Sequence, residues 1–107
     1  LSEGITLTKK AGFDPEKFLE ILNSTYFKTG MSEKKAYKMI KGDFEPTFTL
    51  KNLKKDLDII TRTAKDFGAV LPMAERANEI YSDALKAGFG EIDYTGILAY
   101  IKKLSED

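Results

Sequence analysis

Leu50, Leu53, Leu57, Ile60, Ala64 and Phe67 recur at steps of three and four residues with no proline or glycine between them, which is the period of one face of an α-helix. A stripe of that length commits the middle of the chain to one long helix, which must find neighbours to cover it. The remaining punctuation is also helical. Leu1, Ile5 and Thr8 follow helical spacing up to Ala11-Gly12, and Asp14-Pro15 opens a second helix with Phe18, Leu19, Ile21 and Leu22 on its apolar face as far as about Asn23. Asp14 is suited to accept from free N–H groups, while Pro15 fits the first turn without removing a needed donor. Ser24 to Gly30 has no period and reads as a connection. Ser32 is expected to cap a third helix over about 33–41, with Ala36, Met39 and Ile40 inward and Gly42 as its stop. Pro46 blocks helix in the next segment, where Phe44 and Phe48 are expected to pin the chain to the core.

The stripe helix is predicted to end at Gly68, and Leu71-Pro72 to start a fifth with Met73, Ala77, Ile80, Tyr81 and Ala84 on one face up to about Ala87. After the turn marked by Gly88 and Gly90, Asp93 is expected to cap a last helix that points Ile97, Leu98, Ile101 and Leu104 inward. No alternating pattern runs beyond four residues, and no repeat or low-complexity segment occurs. The expected fold class is therefore all-α, about six helices, read as a single helical domain over 1–107. Met39, Met73, Phe18 and Tyr81 fall on the helical stripes and are assigned to the core.

Composition narrows function more than fold. With no Cys and no His in 107 residues, thiolate nucleophiles, disulfides, zinc centres and Ser-His-Asp triads are excluded. No metal site is expected: Glu16 with Glu20, and Glu75 with Glu79, are carboxylates four apart on helix surfaces without the Glu-x-x-His partners of a bundle metal site. The 17 basic and 17 acidic residues cancel, so no overall field would hold the chain to nucleic acid or an anionic membrane. No apolar run approaches the roughly 20 residues of a membrane span, nor is there a secretory signal layout, so a cytoplasmic protein is expected. Charge is nevertheless uneven, +4 over residues 1–55 and −4 over residues 56–107. The basic excess gathers at Lys28, Lys34, Lys35, Lys38, Lys41, Lys51, Lys54 and Lys55. Lys51 and Lys55 share a helix face away from the leucine stripe, a face that either meets water or waits for an anion. The chain opens at Leu1, already in helical spacing and with no capping residue ahead of it. It is expected to continue a longer protein.

Six segments together carry a resemblance: Ala11-Gly12-Phe13-Asp14-Pro15, Leu22-Asn23, Met39 to Phe48, Lys55-Asp56-Leu57, Leu71-Pro72-Met73 and Gly88 to Tyr94. In this order and spacing the chain resembles the C-terminal helical domain of the β-hydroxyacid dehydrogenases, the family of 3-hydroxyisobutyrate dehydrogenase, tartronate semialdehyde reductase and glyoxylate/succinic semialdehyde reductase, a domain of the 6-phosphogluconate dehydrogenase C-terminal-like type. The resemblance implies a parent enzyme whose N-terminal Rossmann domain binds NAD or NADP and is absent from this chain. It further implies a helical domain that closes the cofactor cleft and contributes to a homodimer or homotetramer acting on a small hydroxyacid. The catalytic lysine of the family lies in a Gly-x-x-x-Lys-x-x-x-Asn pattern that does not occur here, so no catalytic residue is assigned and the 107 residues alone are expected to be inactive.

One binding position carries over. Lys55, the lysine of the Lys-Asp-Leu motif, matches the residue that reaches the bound cofactor from the helical domain. Asp56 is implied to orient or pair with cations in the cleft, and Phe48 to wall the substrate pocket. Two departures bear on the cleft: Ser24-Thr25-Tyr26-Phe27 stands where relatives carry a small, glycine-rich stretch, and Thr47 where they commonly have Gly. The alternative reading is a stand-alone helical interaction or dimerisation module with a basic binding face.

Overall fold

The computed structural model describes residues 1–106, which form α1 (Ser2–Lys10), α2 (Pro15–Asn23), α3 (Gly30–Glu33), α4 (Lys35–Ile40), α5 (Leu50–Asp66), α6 (Pro72–Lys86), a 3-10 turn (Tyr94–Gly96) and α7 (Ile97–Leu104). Among the described residues the only strand-like pairing is an isolated antiparallel bridge between Thr49 and Asp93. The all-α expectation holds. Packing divides the chain into two units, one of Leu1–Phe44 with the segment from Leu98 onward, the other of Glu45–Ile97.

In the first unit Ile5, Met39 and Leu98 form a buried cluster, against which Phe18, Met31, Ile40 and Phe44 pack. Phe44 thus anchors its segment as expected. Asp14 caps α2 by accepting from Glu16 N at 2.9 Å, with Pro15 in the first turn. The expected helix over 33–41 differs in how it begins. Thr29, not Ser32, is the N-cap: its side chain accepts from Ser32 N at 2.9 Å while the Ser32 hydroxyl accepts from Thr29 N at 2.8 Å, a reciprocal capping box. Ser32 is buried, and its hydroxyl lies 2.6 Å from Asn23 Oδ1 while Asn23 Nδ2 donates to Ser32 O at 3.0 Å. These bonds anchor the aperiodic Ser24–Gly30 connection at both ends. The single turn of α3 then breaks at Lys34 before α4.

In the second unit α5 and α6 pack as a helical hairpin, with Leu50, Ala64 and Ala84 buried. Thr49 starts α5 by accepting from Asn52 N at 3.2 Å. At the other end Gly68 adopts φ 71°, donating to Lys65 O at 3.1 Å, while Ala69 N donates to Ala64 O at 2.8 Å; this is a Schellman closure that satisfies two of the last carbonyls. A Cβ built on Gly68 meets nothing within 4 Å, so Gly68→Ala is expected to cost only the left-handed backbone penalty, about 1–2 kcal/mol. Chemical denaturation measures that loss.

Of the stripe Leu50 and Ala64 are buried and Leu53 and Leu57 half-buried, but Ile60 is nearly half exposed and Phe67 is 84% exposed. Met73, assigned to the core, is 86% exposed, and Leu104 of α7 also faces out, whereas Phe18 packs on the first unit's core and Tyr81 is half-buried. Periodicity identifies an apolar face but not whether a neighbour exists to cover it. Within the second unit the turn Phe67–Leu71 reverses the chain; Ile59, Ile60 and Phe67 line an apolar concavity of about 360 Å³, and Val70 and Met73 stand exposed in the adjoining sequence. Among the described residues no helix is long and apolar enough to cross a membrane.

Candidate functional site

All three positions singled out in the sequence, Phe48, Lys55 and Asp56, lie in the second unit, on the segment entering α5 and on its first two turns. One buried carboxylate sets the path of that segment. Asp93 is 3% exposed. Its Oδ1 accepts from Thr47 N at 3.0 Å, Thr47 Oγ1 at 3.1 Å and Phe48 N at 3.2 Å, and its Oδ2 accepts from Thr95 N at 3.3 Å and Thr95 Oγ1 at 2.6 Å. Burial by itself would raise the Asp93 carboxyl, but the bonds from Thr95, Thr47 and Phe48 outweigh it and hold the group far below the usual carboxylate range. Asp93 does cap the turn leading to α7, as expected; it also ties that turn to a segment more than forty residues earlier.

Backbone pairing completes the clamp. Tyr94 N donates to Phe48 O at 2.8 Å, Leu50 N to Ile92 O at 2.8 Å, and Lys51 N to Gly90 O at 3.0 Å. At Gly90 a Cβ would lie 2.6 Å from Leu85 Cδ1, the mobile end of a side chain, and at an ordinary 3.6 Å from Lys51 Cβ. The rings of Phe48 and Tyr94 meet edge to face, centroids 6.2 Å apart at 69°. Phe48 is therefore not a core anchor: it is 38% exposed, held by its backbone and one aromatic neighbour. Tyr81, half-buried on α6, makes a long 3.5 Å contact to Tyr94 O, and burial pushes its phenol up to about 12.

The first two turns of α5 carry four charges that the structure separates. Lys51 bonds Glu91 at 3.0 Å, so this half of the Lys51/Lys55 pair is neutralised. Lys54 pairs with Asp58, which also accepts from Asn78 Nδ2 at 3.2 Å; the Lys54 bond, opposed by burial and helped by Asn78, lowers the Asp58 carboxyl. Lys55 and Asp56 are both exposed. Adjacent helical positions point about 100° apart, so they do not face one another. Among the described residues the ion pair of this turn is Lys54–Asp58, and Asp56 takes no part in it. What remains are two exposed side chains at separate points, the Lys55 ammonium on the second turn of α5 and the backbone-clamped Phe48 ring on the segment that enters it. The first can offer hydrogen bonds and charge to an anion, the second an apolar edge. Sequence reasoning missed the breadth of the Asp93 role, for which the Asp93-x-Thr95 spacing was the only local signal.

Residues 1–101 match the protein family described as "NAD-binding of NADP-dependent 3-hydroxyisobutyrate dehydrogenase". Among individual relatives, the cytokine-like nuclear factor N-PAC of Aedes aegypti is 31% identical over 91% of this chain and 17% of its own length. Glyoxylate/succinic semialdehyde reductase 1 of Arabidopsis thaliana is 29% identical over 94% of this chain and 35% of its own. A 3-hydroxyisobutyrate dehydrogenase structure from Salmonella typhimurium superposes with a TM-score of 0.85 at 24% identity, covering 92% of this chain and 35% of that one, which establishes a shared fold. The chain thus spans about a third or less of the length of these proteins.

Proposed function

This chain belongs to the family of NAD-binding domains of NADP-dependent 3-hydroxyisobutyrate dehydrogenase, and from that premise we propose that it is the C-terminal helical domain of an NAD(P)-dependent enzyme that interconverts a short β-hydroxyacid and its aldehyde or keto acid. The observation that carries the reading is Lys55, an exposed ammonium on the second turn of a helix whose start is fixed by the Asp93 clamp. When bound, the nicotinamide cofactor accepts or gives the hydride. Lys55 donates hydrogen bonds to an oxygen of the cofactor or of the acid substrate as the domain closes, and Phe48 lines the substrate side and excludes water. The acid–base lysine belongs to the partner segment upstream, together with the Rossmann domain that binds most of the cofactor, so this chain alone does not turn over substrate.

The open apolar tip at Ile59, Phe67, Val70 and Met73 supports a second part of the reading, association of the parent into a dimer or tetramer through this face. Against the alternative of a stand-alone module with a basic face stand ion pairs that offset three of its eight lysines: Lys28 pairs with Glu33, Lys51 with Glu91 and Lys54 with Asp58.

In the intact dehydrogenase, Lys55→Ala is expected to lower kcat/KM by about 10- to 100-fold, the loss of one charged hydrogen bond, with the larger part in the cofactor KM. Lys55→Arg should recover part of it. Steady-state kinetics with varied NADPH and NADH decide the point, and unchanged constants would reject the assignment.

A further inference from the structure

Independently of that reading, a second cavity lies wholly within the unit of Leu1–Phe44 and Leu98 onward, with a volume of about 340 Å³. Its floor is apolar: Met39 and Leu98 from the buried core, with Ile40, Phe44 and Ala99 beside them. Its rim is basic, contributed by Lys9 and Lys10 in the last turn of α1, Lys41 at the C-cap of α4 and Lys102 in the last turn of α7. Among the described residues no carboxylate lines it. Lysine at a helix C-terminus has an ordinary role in offsetting the roughly half negative charge there. Three such ends account for less than the four positive charges that converge, and none of the four lysines has an ion pair or hydrogen bond within the described chain.

The remaining polar groups sharpen the chemistry. The hydroxyls of Thr6 and Ser105 both spend their protons on backbone carbonyls, Thr6 on Ser2 O at 2.8 Å and Ser105 on Ile101 O at 3.0 Å. The donors left to a ligand are therefore the ammonium groups, which select an anion, while the floor selects an apolar body. Volume sets the scale, near the lower end of small-molecule pockets. We propose that this cavity binds a small amphiphilic anion, an aromatic or short acyl body carrying a phosphate or carboxylate head, with the head among Lys9, Lys10, Lys41 and Lys102 and the body against Met39, Phe44 and Leu98.

Phenyl phosphate is the probe. In a two-dimensional amide NMR titration it should produce saturable shifts at Thr6, Gly42 and Ala99. Inorganic phosphate and benzyl alcohol, each lacking one half of the ligand, should each bind about tenfold more weakly or worse. Lys41→Glu should weaken phenyl phosphate by about tenfold or more, with circular dichroism confirming the fold, and Lys102→Gln should weaken it to a smaller degree should the first variant not fold. Equal affinity for inorganic phosphate would reduce the site to exposed lysines and overturn the proposal. Shifts confined to the apolar tip at Ile60 and Phe67, or none at all, would overturn it too.

Discussion

Asp93→Ala is expected to destabilise the Glu45–Ile97 unit by about 3–5 kcal/mol, because it removes a buried carboxylate that accepts from Thr47 N and Phe48 N, both part-buried bonds, and from the buried Thr95 N. Each orphaned donor costs about 1–3 kcal/mol unless water reaches it. Urea unfolding should show the change as a lower midpoint. A loss under about 1 kcal/mol would mean that water replaces the carboxylate at little cost. Asp93→Asn separates charge from shape: one oxygen survives, but an amide NH₂ now faces donors, so about half the loss is expected. The sign of the pH dependence follows from the depressed carboxyl. A group whose folded pKa lies below its unfolded value near 3.9 gives its full stabilisation above about pH 5, and gives it up as the pH falls and the carboxyl takes a proton. The stability gap between the natural chain and Asp93→Asn should therefore be constant from pH 5 to 8 and shrink steadily below about pH 4. A gap that widens in acid would contradict the hydrogen-bonded carboxylate.

Local chemistry was legible in the sequence, and coverage was not. The Asp14-Pro15 start of α2 and the glycine stop of α5 at Gly68 depend on one residue and its nearest neighbours, and both form as read. The step of three and four through Leu50–Phe67 correctly gives a helix of 17 residues. It gives no account of where α6 stops covering that helix, and so Ile60, Phe67 and Met73 stand open. Ser32 was the cap read from the sequence; in the fold Asn23, nine residues away, engages Ser32, and Thr29 caps instead. The candidate site shows the same limit. Nothing in the lysine run distinguishes Lys55 from Lys51 or Lys54 until Glu91 and Asp58 occupy the other two. Only the resemblance singled out Lys55, and the structure supplies the physical reason it is available. The Asp93 hub spans 45 and 46 residues, a separation that no periodic pattern encodes.

Leu50→Ala should cost about 3–4 kcal/mol, in the range for removing a fully buried leucine without collapse of the site. Leu50 is 0% exposed at the first position of α5, and its N–H donates to Ile92 O at 2.8 Å. For a chain of this size that loss corresponds to a fall in melting temperature of about 15 °C or more. Leu50→Met, which nearly conserves volume, should cost less than about 1.5 kcal/mol. Position matters beyond the total, since the same residue locks the entry segment that presents Phe48 and Lys55. Hydrogen exchange of the amides from Leu50 to Lys55 should accelerate in Leu50→Ala relative to amides at the centre of α6, showing that the start of α5 frays before the hairpin opens. Equal acceleration throughout the unit would instead mean that α5 opens only with the whole. Coupling gives the stricter test. Asp93 and Leu50 hold adjacent stretches of one strand-like segment, through Thr47 and Phe48 on one side and Ile92 on the other. Once either anchor is lost the other has less to fix, so the double variant should lose about 1 kcal/mol less than the sum of the singles. Strict additivity would mean that the two contacts hold the segment independently of one another.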